Sequence, residues 1–308
     1  MKLRLVSVFI FIFIITNSFA WNDHAHMTIA AIAWDRLSDQ EKVKVTDLLE
    51  QHPEYNNSWK GAYNAHKNLL PLGKYLMMRA SMWPDEIKKK GNLNFTYNRF
   101  EWHYIVQKLY FDRPIDEKNP EVLPDKGNGN VVYAINHVIT SIQSPEISKP
   151  LKAVYFSWLI HLTADIHQPL HTCAMFDGDK FKKGDRGGND IYIRTASDTT
   201  DLQDFWDELL GTSNDTRTVL QQGFTYRKQI PFKEEYLSNM NPDSWAKESF
   251  LIAKYNAYLN GKLKYATNKK APAPKVPDNY VENSKTLAIK QGTIAGYRLA
   301  GQISSIVK

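Results

Sequence analysis

A single cysteine, Cys173, occurs in 308 residues. One thiol excludes an intramolecular disulfide, so an exported form of this chain would rely on its core, on metal ions, or on both. Beyond residue 20 there is no second long apolar run, which leaves no candidate for a membrane span. Internal repeats and low-complexity tracts are absent as well. So is any Ser-His-Asp or Cys-His pattern that would supply a side-chain nucleophile. Strand-like alternation is confined to residues 189–194. The pattern reads as a mainly α single domain of packed helices with a small β-hairpin.

The first twenty residues carry a different signal. Lys2 and Arg4 precede an apolar run to Ile15, and Ser18-Phe19-Ala20 forms a small-x-small cleavage site, the layout of a secretory signal peptide. The run is too short to span a membrane comfortably. Cleavage would leave Trp21 as the mature N-terminus, with no membrane anchor, and the product would be periplasmic or secreted. Loss of Lys2 and Arg4 with no acidic residue takes the formal charge from +6 to +4. A mildly basic chain is compatible with a polyanionic substrate.

Three of the nine histidines fall within His161-Leu-Thr-Ala-Asp165-Ile-His167-Gln-Pro-Leu-His171. The apolar run at 153–160 leads into it as a buried helix. On that helix His161 and Asp165, four apart, project from one face. Pro169 lacks an amide donor and disfavours helix at Gln168, so the helix ends or kinks there and His171 can turn towards a second ion. A histidine and an aspartate side by side, with another histidine behind, suit a divalent ion, zinc first. A buried His–Asp hydrogen bond that merely satisfies two core groups would give the same pair, and the spacing leaves both readings open.

Periodicity predicts helices over 27–49 with a break near Ser38, over 64–82 ending at Trp83-Pro84-Asp85, and over 130–143, 149–168, 202–210, 244–258 and 283–307. Residues 114–129 and 178–188 read as loops, and 271–277 as a loop within the domain. His24, His52, His66, His137 and His167 read as structural or solvated.

The potential metal ligands along the mature chain are the Trp21 amine, His26, Asp85, His103, His161, Asp165, His171 and Asp207. They sit among Ala80-Ser-Met-Trp83-Pro-Asp85, Trp102-His103-Tyr104, Gly187-Gly-Asn189 and Phe205-Trp206-Asp207. In this order, over nearly the whole mature chain, the sequence resembles the zinc-dependent single-strand-specific nucleases of the S-one/P-one type, mung bean nuclease among them. The resemblance implies one domain over 21–308, of the phospholipase C/nuclease type, built around three zinc ions. Asp85, His103, His161 and a bridging Asp165 would hold one ion. The Trp21 amine and carbonyl, His26 and Asp165 would hold a second, and His171 with Asp207 a third.

It further implies hydrolysis of single-stranded DNA and RNA, and of nucleotides, to 5′-phosphate products, with no stable protein partner. Asp85, Asp165 and Lys88 would lie at the reacting centre, and Asn189 and Tyr104 would contact substrate, the latter by stacking on a base. The chain departs from the family at three points. Lys88 stands where arginine is common, so charge is kept and the bidentate fork lost. Val106 replaces an aspartate that would contact a base edge. Gln203 replaces a histidine four residues before Asp207, and glutamine is the weaker zinc donor, so two tight zinc sites and a weaker third are expected. Two rivals remain: a zinc-dependent phospholipase C, which shares the N-terminal Trp and HxxxD, and an exported zinc-binding protein without activity.

Overall fold

The structure, a computed structural model, describes residues 21–89, 91–125 and 127–307. The expected leader, 1–20, lies outside the described residues. α1 (Asp23–Trp34) buries every side chain from His24 onward, so it lies inside the fold and not on its surface. α2 (Asp39–Leu49) starts at a capping box. Ser38 Oγ accepts from Glu41 N–H at 3.3 Å, and the Glu41 carboxylate accepts from Ser38 N–H at 2.7 Å, which is the break expected near Ser38.

A short α3 (Lys60–Tyr63) and a run of turns lead to α4 (Leu72–Glu86). Residues 64–70 are therefore not helical, contrary to the periodicity. Pro71 is the physical reason: it caps α4 and restricts Leu70 to non-helical backbone. At its other end α4 continues through Pro84 to Glu86. A proline there removes one hydrogen bond, and the turn still closes through Ile87 N–H to Trp83 O at 3.1 Å. Asp85 is thereby a helical residue.

Short 3₁₀ turns at Phe95–Tyr97 and Phe100–His103 precede β1 (Gln107–Leu109). After α5 (Val131–Gln143) comes α6 (Lys149–Asp165), apolar on nearly every side and buried from Phe156 to Asp165. α6 ends at Asp165, three residues before the expected end, because Pro169 holds Gln168 in extended backbone (φ −82°, ψ 118°). A 3₁₀ turn, Pro169–Thr172, then feeds β2 (Cys173–Met175), which pairs in parallel with β1. This pairing of residues more than sixty apart was not visible in the sequence. β3 (Tyr192–Arg194) and β4 (Thr199–Asp201) form the expected hairpin.

α7 (Leu202–Asp207), α8 (Thr216–Gln229), α9 (Pro242–Ile252) and α10 (Tyr280–Ile306) complete the chain. α8 has no counterpart among the predicted helices. Its buried face is Thr216, Val219, Gly223 and Tyr226, too small and too polar to read as an apolar stripe. Gly223 packs against Ile32 and Thr28 of α1, where even a Cβ would make only ordinary contacts of 3.6–3.9 Å.

Two apolar clusters form the core, and α1 serves both. Met27, Ala30 and Trp34 face one, while Ala25, Ile29 and Ile32 face the other. His26 lies in the same buried helix.

Candidate metal centre

Four elements bring one side chain or more to a single buried point. α1 supplies His26, α4 Asp85, the turn after Arg99 supplies His103, and α6 both His161 and Asp165. All five are nearly inaccessible. His26, His161 and Asp165 offer ligand atoms within 4.8 Å of one another, and so do Asp85, His103 and His161. Asp165 is the hub. Its Oδ2 lies 3.0 Å from His103 Nδ1 and from His161 Nε2, and its Oδ1 lies 3.4 Å from His26 Nε2 and 4.0 Å from His171 Nδ1.

Backbone carbonyls orient the rings. His161 Nδ1–H donates to Ser81 O at 2.7 Å and His171 Nδ1–H to His103 O at 2.9 Å. Each bond fixes the tautomer and leaves Nε2 as a lone-pair donor. His161 Nε2 then faces His103 Nδ1 at 2.9 Å, with Asp85 Oδ1 3.7 Å and 3.8 Å from the two nitrogens. Two imidazole nitrogens and two carboxylates converging this closely could hold a cation between them. The His26 ring stacks on His161 at 4.0 Å, and both of its nitrogens are buried without a hydrogen-bond partner, as is Asp165 Oδ1. Buried polar atoms are seldom left so. The donor set of imidazole nitrogens and carboxylate oxygens is that of a zinc site.

Electrostatics set the protonation that metal binding requires. Burial, assisted by Lys88, drives the His103 pKa down to about 3. Burial also lowers His26 and His171, against the pull of Asp165. Burial opposes the charge on Asp165 and Asp85. The surrounding histidines outweigh it at Asp165, and Lys88 with the histidines at Asp85, so both carboxyls stay below the usual range. His161 alone is raised, because Asp165 and Asp85 together exceed its burial penalty. Lys88 Nζ lies 2.6 Å from Asp85 Oδ1.

Asp207 stands apart from these groups. Gln168 Nε2 donates to its Oδ1 at 2.6 Å, and Gln203 Nε2 donates to Oδ1 and Oδ2 at 3.2 and 3.1 Å. Burial nevertheless pushes the Asp207 carboxyl well above the ordinary range. Gln203 thus turns its amide nitrogen to Asp207. Gln168, which the sequence reading passed over within the central motif, is the second donor.

Trp21 is fully buried, its indole donating to Ala164 O at 3.1 Å, one residue before Asp165. Asn189 folds its amide back onto Arg186 O at 2.8 Å. Tyr104 is half-buried at the rim, 6.0 Å edge-on from Phe100. His167 and His24 hold backbone carbonyls, Thr163 and Ser213 respectively.

Residues 21–308 match the sequence profile of the S1/P1 Nuclease family. The chain belongs to the S1/P1 nuclease family. It is 23% identical to Endonuclease 3 of Arabidopsis thaliana over 99% of this chain and 95% of that protein. Endonuclease 4 of the same plant is 23% identical over 95% and 91%, and Endonuclease 5 is 22% identical over 99% and 97%. The S1/P1 family is zinc-dependent, and its members are nucleases acting on phosphodiesters, which makes this chain a hydrolase of that class. The His/Asp clusters fit that requirement.

Proposed function

We propose that this S1/P1 nuclease is an exported zinc enzyme that cleaves single-stranded DNA and RNA to 5′-phosphate products and releases the 3′-phosphate of nucleotides as inorganic phosphate. The observation that carries the reading is the convergence of His26, His103, His161, Asp85 and Asp165 on one buried point, with the largely buried Lys88 against Asp85 and the half-buried Tyr104 following His103. Zinc, when bound, supplies Lewis acidity and an activated water at neutral pH.

The chain's own groups do the rest. Asp165 meets His26 through one oxygen and His103 and His161 through the other, and the carbonyls of Ser81 and His103 hold two imidazoles in the tautomer a metal needs. Lys88 sets a positive charge beside Asp85 for a phosphate oxygen, and Tyr104 offers a ring face to a base. The names of the Arabidopsis relatives favour a nuclease over a phospholipase. Export rests on the basic and apolar pattern of residues 1–20, and the family match begins at Trp21. Zinc-dependent release of 5′-mononucleotides from single-stranded DNA and RNA, abolished by chelator, is the expected result. Cleavage that survives exhaustive chelation would sink the proposal.

Two metals are held tightly and a third weakly. The two converging groups account for the pair, whereas Asp207 is met by two glutamine amides, which are hydrogen-bond donors and poor zinc ligands. Zinc titration should give two strong equivalents and a third that leaves on mild chelation. Gln203→His should retain the third. Three equally tight equivalents in the natural chain would refute this assignment.

A further inference from the structure

Six of the ten large apolar side chains exposed among the described residues, Leu93, Phe95, Phe100, Val122, Leu123 and Tyr133, crowd into residues 93–133. Exposed apolar side chains scattered singly need no explanation, but a cluster of them marks an interaction surface. Phe100, Val122 and Leu123 lie on or against the segment that carries His103: Leu123 N–H donates to Val106 O at 2.8 Å, and Val122 bridges Gln107. Phe100 opens the 3₁₀ turn that ends at His103, and its ring is 51% exposed. It lies 6.0 Å from the Tyr104 ring and 6.0 Å from Lys88 Nζ, which in turn touches Asp85. An exposed ring is therefore two contacts from the metal centre. Val131 N–H donates to Tyr104 O at 3.1 Å, tying the start of α5 to the same segment and bringing the 51% exposed Tyr133 two residues beyond.

Charge points to the occupant. Between residues 88 and 108 the sequence places Lys88, Lys89, Lys90, Arg99 and Lys108 against Glu101 alone. Lys89 and Arg99 are exposed. Lys88 and Lys108 are paired with Asp85 and Glu121, so the exposed Lys89 and Arg99, both preceding Phe100 in sequence, are the cations this surface offers a ligand. Aromatic faces interleaved with cations are the surface that holds a single nucleic-acid strand, bases on rings and phosphates on cations.

We propose that Phe100 is the outer step of a stacking platform that guides a single strand over Tyr104 into the metal centre, with Arg99 and Lys89 along its backbone. This extends the nuclease reading above and rests on it. The consequence is a preference for strands over dinucleotides. A dinucleoside monophosphate spans only the scissile phosphate and its two nucleosides, so it does not reach Phe100, whereas a twelve-residue strand does.

The test compares Phe100→Ala and Phe100→Trp with the natural zinc-loaded enzyme on dT12 and on the thymidine dinucleoside monophosphate. Loss of one stacking ring should raise KM for dT12 about tenfold, with under twofold change for the dinucleotide, and Phe100→Trp should restore the strand preference. Equal loss on both substrates would make Phe100 a structural support of the centre, and loss on neither would leave it without a role; either result overturns the platform. Fluorescence anisotropy with labelled, hydrolysis-resistant phosphorodithioate dT12 separates the two readings. Tight binding that falls about tenfold in Phe100→Ala, in a protein that cleaves no nucleic acid, keeps the platform and removes the nuclease. Binding indifferent to Phe100 removes the platform.

Discussion

At the scale of single residues, Asp165 and Asp185 carry opposite lessons. Asp165 is buried and ionised because histidines surround it. Asp165→Ala removes the one carboxylate whose two oxygens reach His26 on one side and His103 and His161 on the other, so zinc affinity should fall by more than the ~10–100-fold typical of losing an outer-shell partner. Zinc content and melting temperature unchanged by this substitution would contradict the shared-ligand arrangement. Asp185 is equally buried. It accepts from Met175 N–H at 2.8 Å and from the Tyr258 hydroxyl at 2.7 Å. Burial outweighs these bonds and a third from Gly188 N–H, and lifts its pKa to about 6, against about 3.9 in an unfolded chain.

Between those values the folded chain holds a proton that the unfolded chain has lost, so this group's contribution to stability falls as pH rises from about 4 to about 6. Two units correspond to about 3 kcal/mol. Asp185→Asn cannot ionise, and the Tyr258 hydroxyl can rotate to accept from its amide. Denaturant melts at pH 4.5, 5.5 and 7 should show the variant gaining on the natural protein with rising pH. A difference that stays flat would refute it. The sequence disclosed the roles of these residues unevenly. His161 and Asp165 announced themselves by i,i+4 spacing on an apolar run. The acceptors that orient His161 and His171, the carbonyls of Ser81 and His103, are backbone atoms with no sequence signature.

At the scale of elements, legibility tracked local chemistry. The α2 start at Ser38 and the α6 end before Pro169 were readable because a capping box and a proline act within a few residues. The extension of α4 through Pro84 was not, since it depends on Trp83, Pro84 and Asp85 being packed in place. The parallel β1–β2 pair was hidden because its strands are three residues long and distant in sequence. The glycine-rich loop shows what local chemistry can still demand. Gly187 has φ +63°, and a Cβ there would sit 2.6 Å from Leu170 O, in the turn that presents His171. Gly187→Ala therefore meets both backbone strain and a clash that cannot relax without moving that turn. Destabilisation of roughly 1–3 kcal/mol is expected, together with reduced activity. An alanine variant with natural melting temperature and activity would show that the loop does not support the turn.

At the scale of the whole molecule, the fold and its chemistry meet at the N-terminus. The mainly helical class followed from composition and periodicity, whereas the convergence of α1, α4 and α6 on one point required their tertiary packing. Trp21 has no room to be incidental: its indole is buried against Ala164, next to the shared ligand Asp165, and Asn22 caps α1 while its amide holds Gly211 O at 2.7 Å. Trp21 and Asn22 are thus each tied to a backbone carbonyl, the first of them one residue before Asp165. If the Trp21 amine is a zinc ligand, it must be free and unprotonated, and cleavage after Ala20 becomes a step in building the site. A chain beginning Met-Trp21 keeps the indole, the helix cap and the core, so it should fold with a circular dichroism spectrum like that of the processed form. It should bind about one equivalent of zinc fewer at micromolar free metal and lose most of its nuclease activity. Removing the extra methionine enzymatically should restore both. Equal zinc content and activity in the extended and processed forms would show that the terminus is anchored for packing alone.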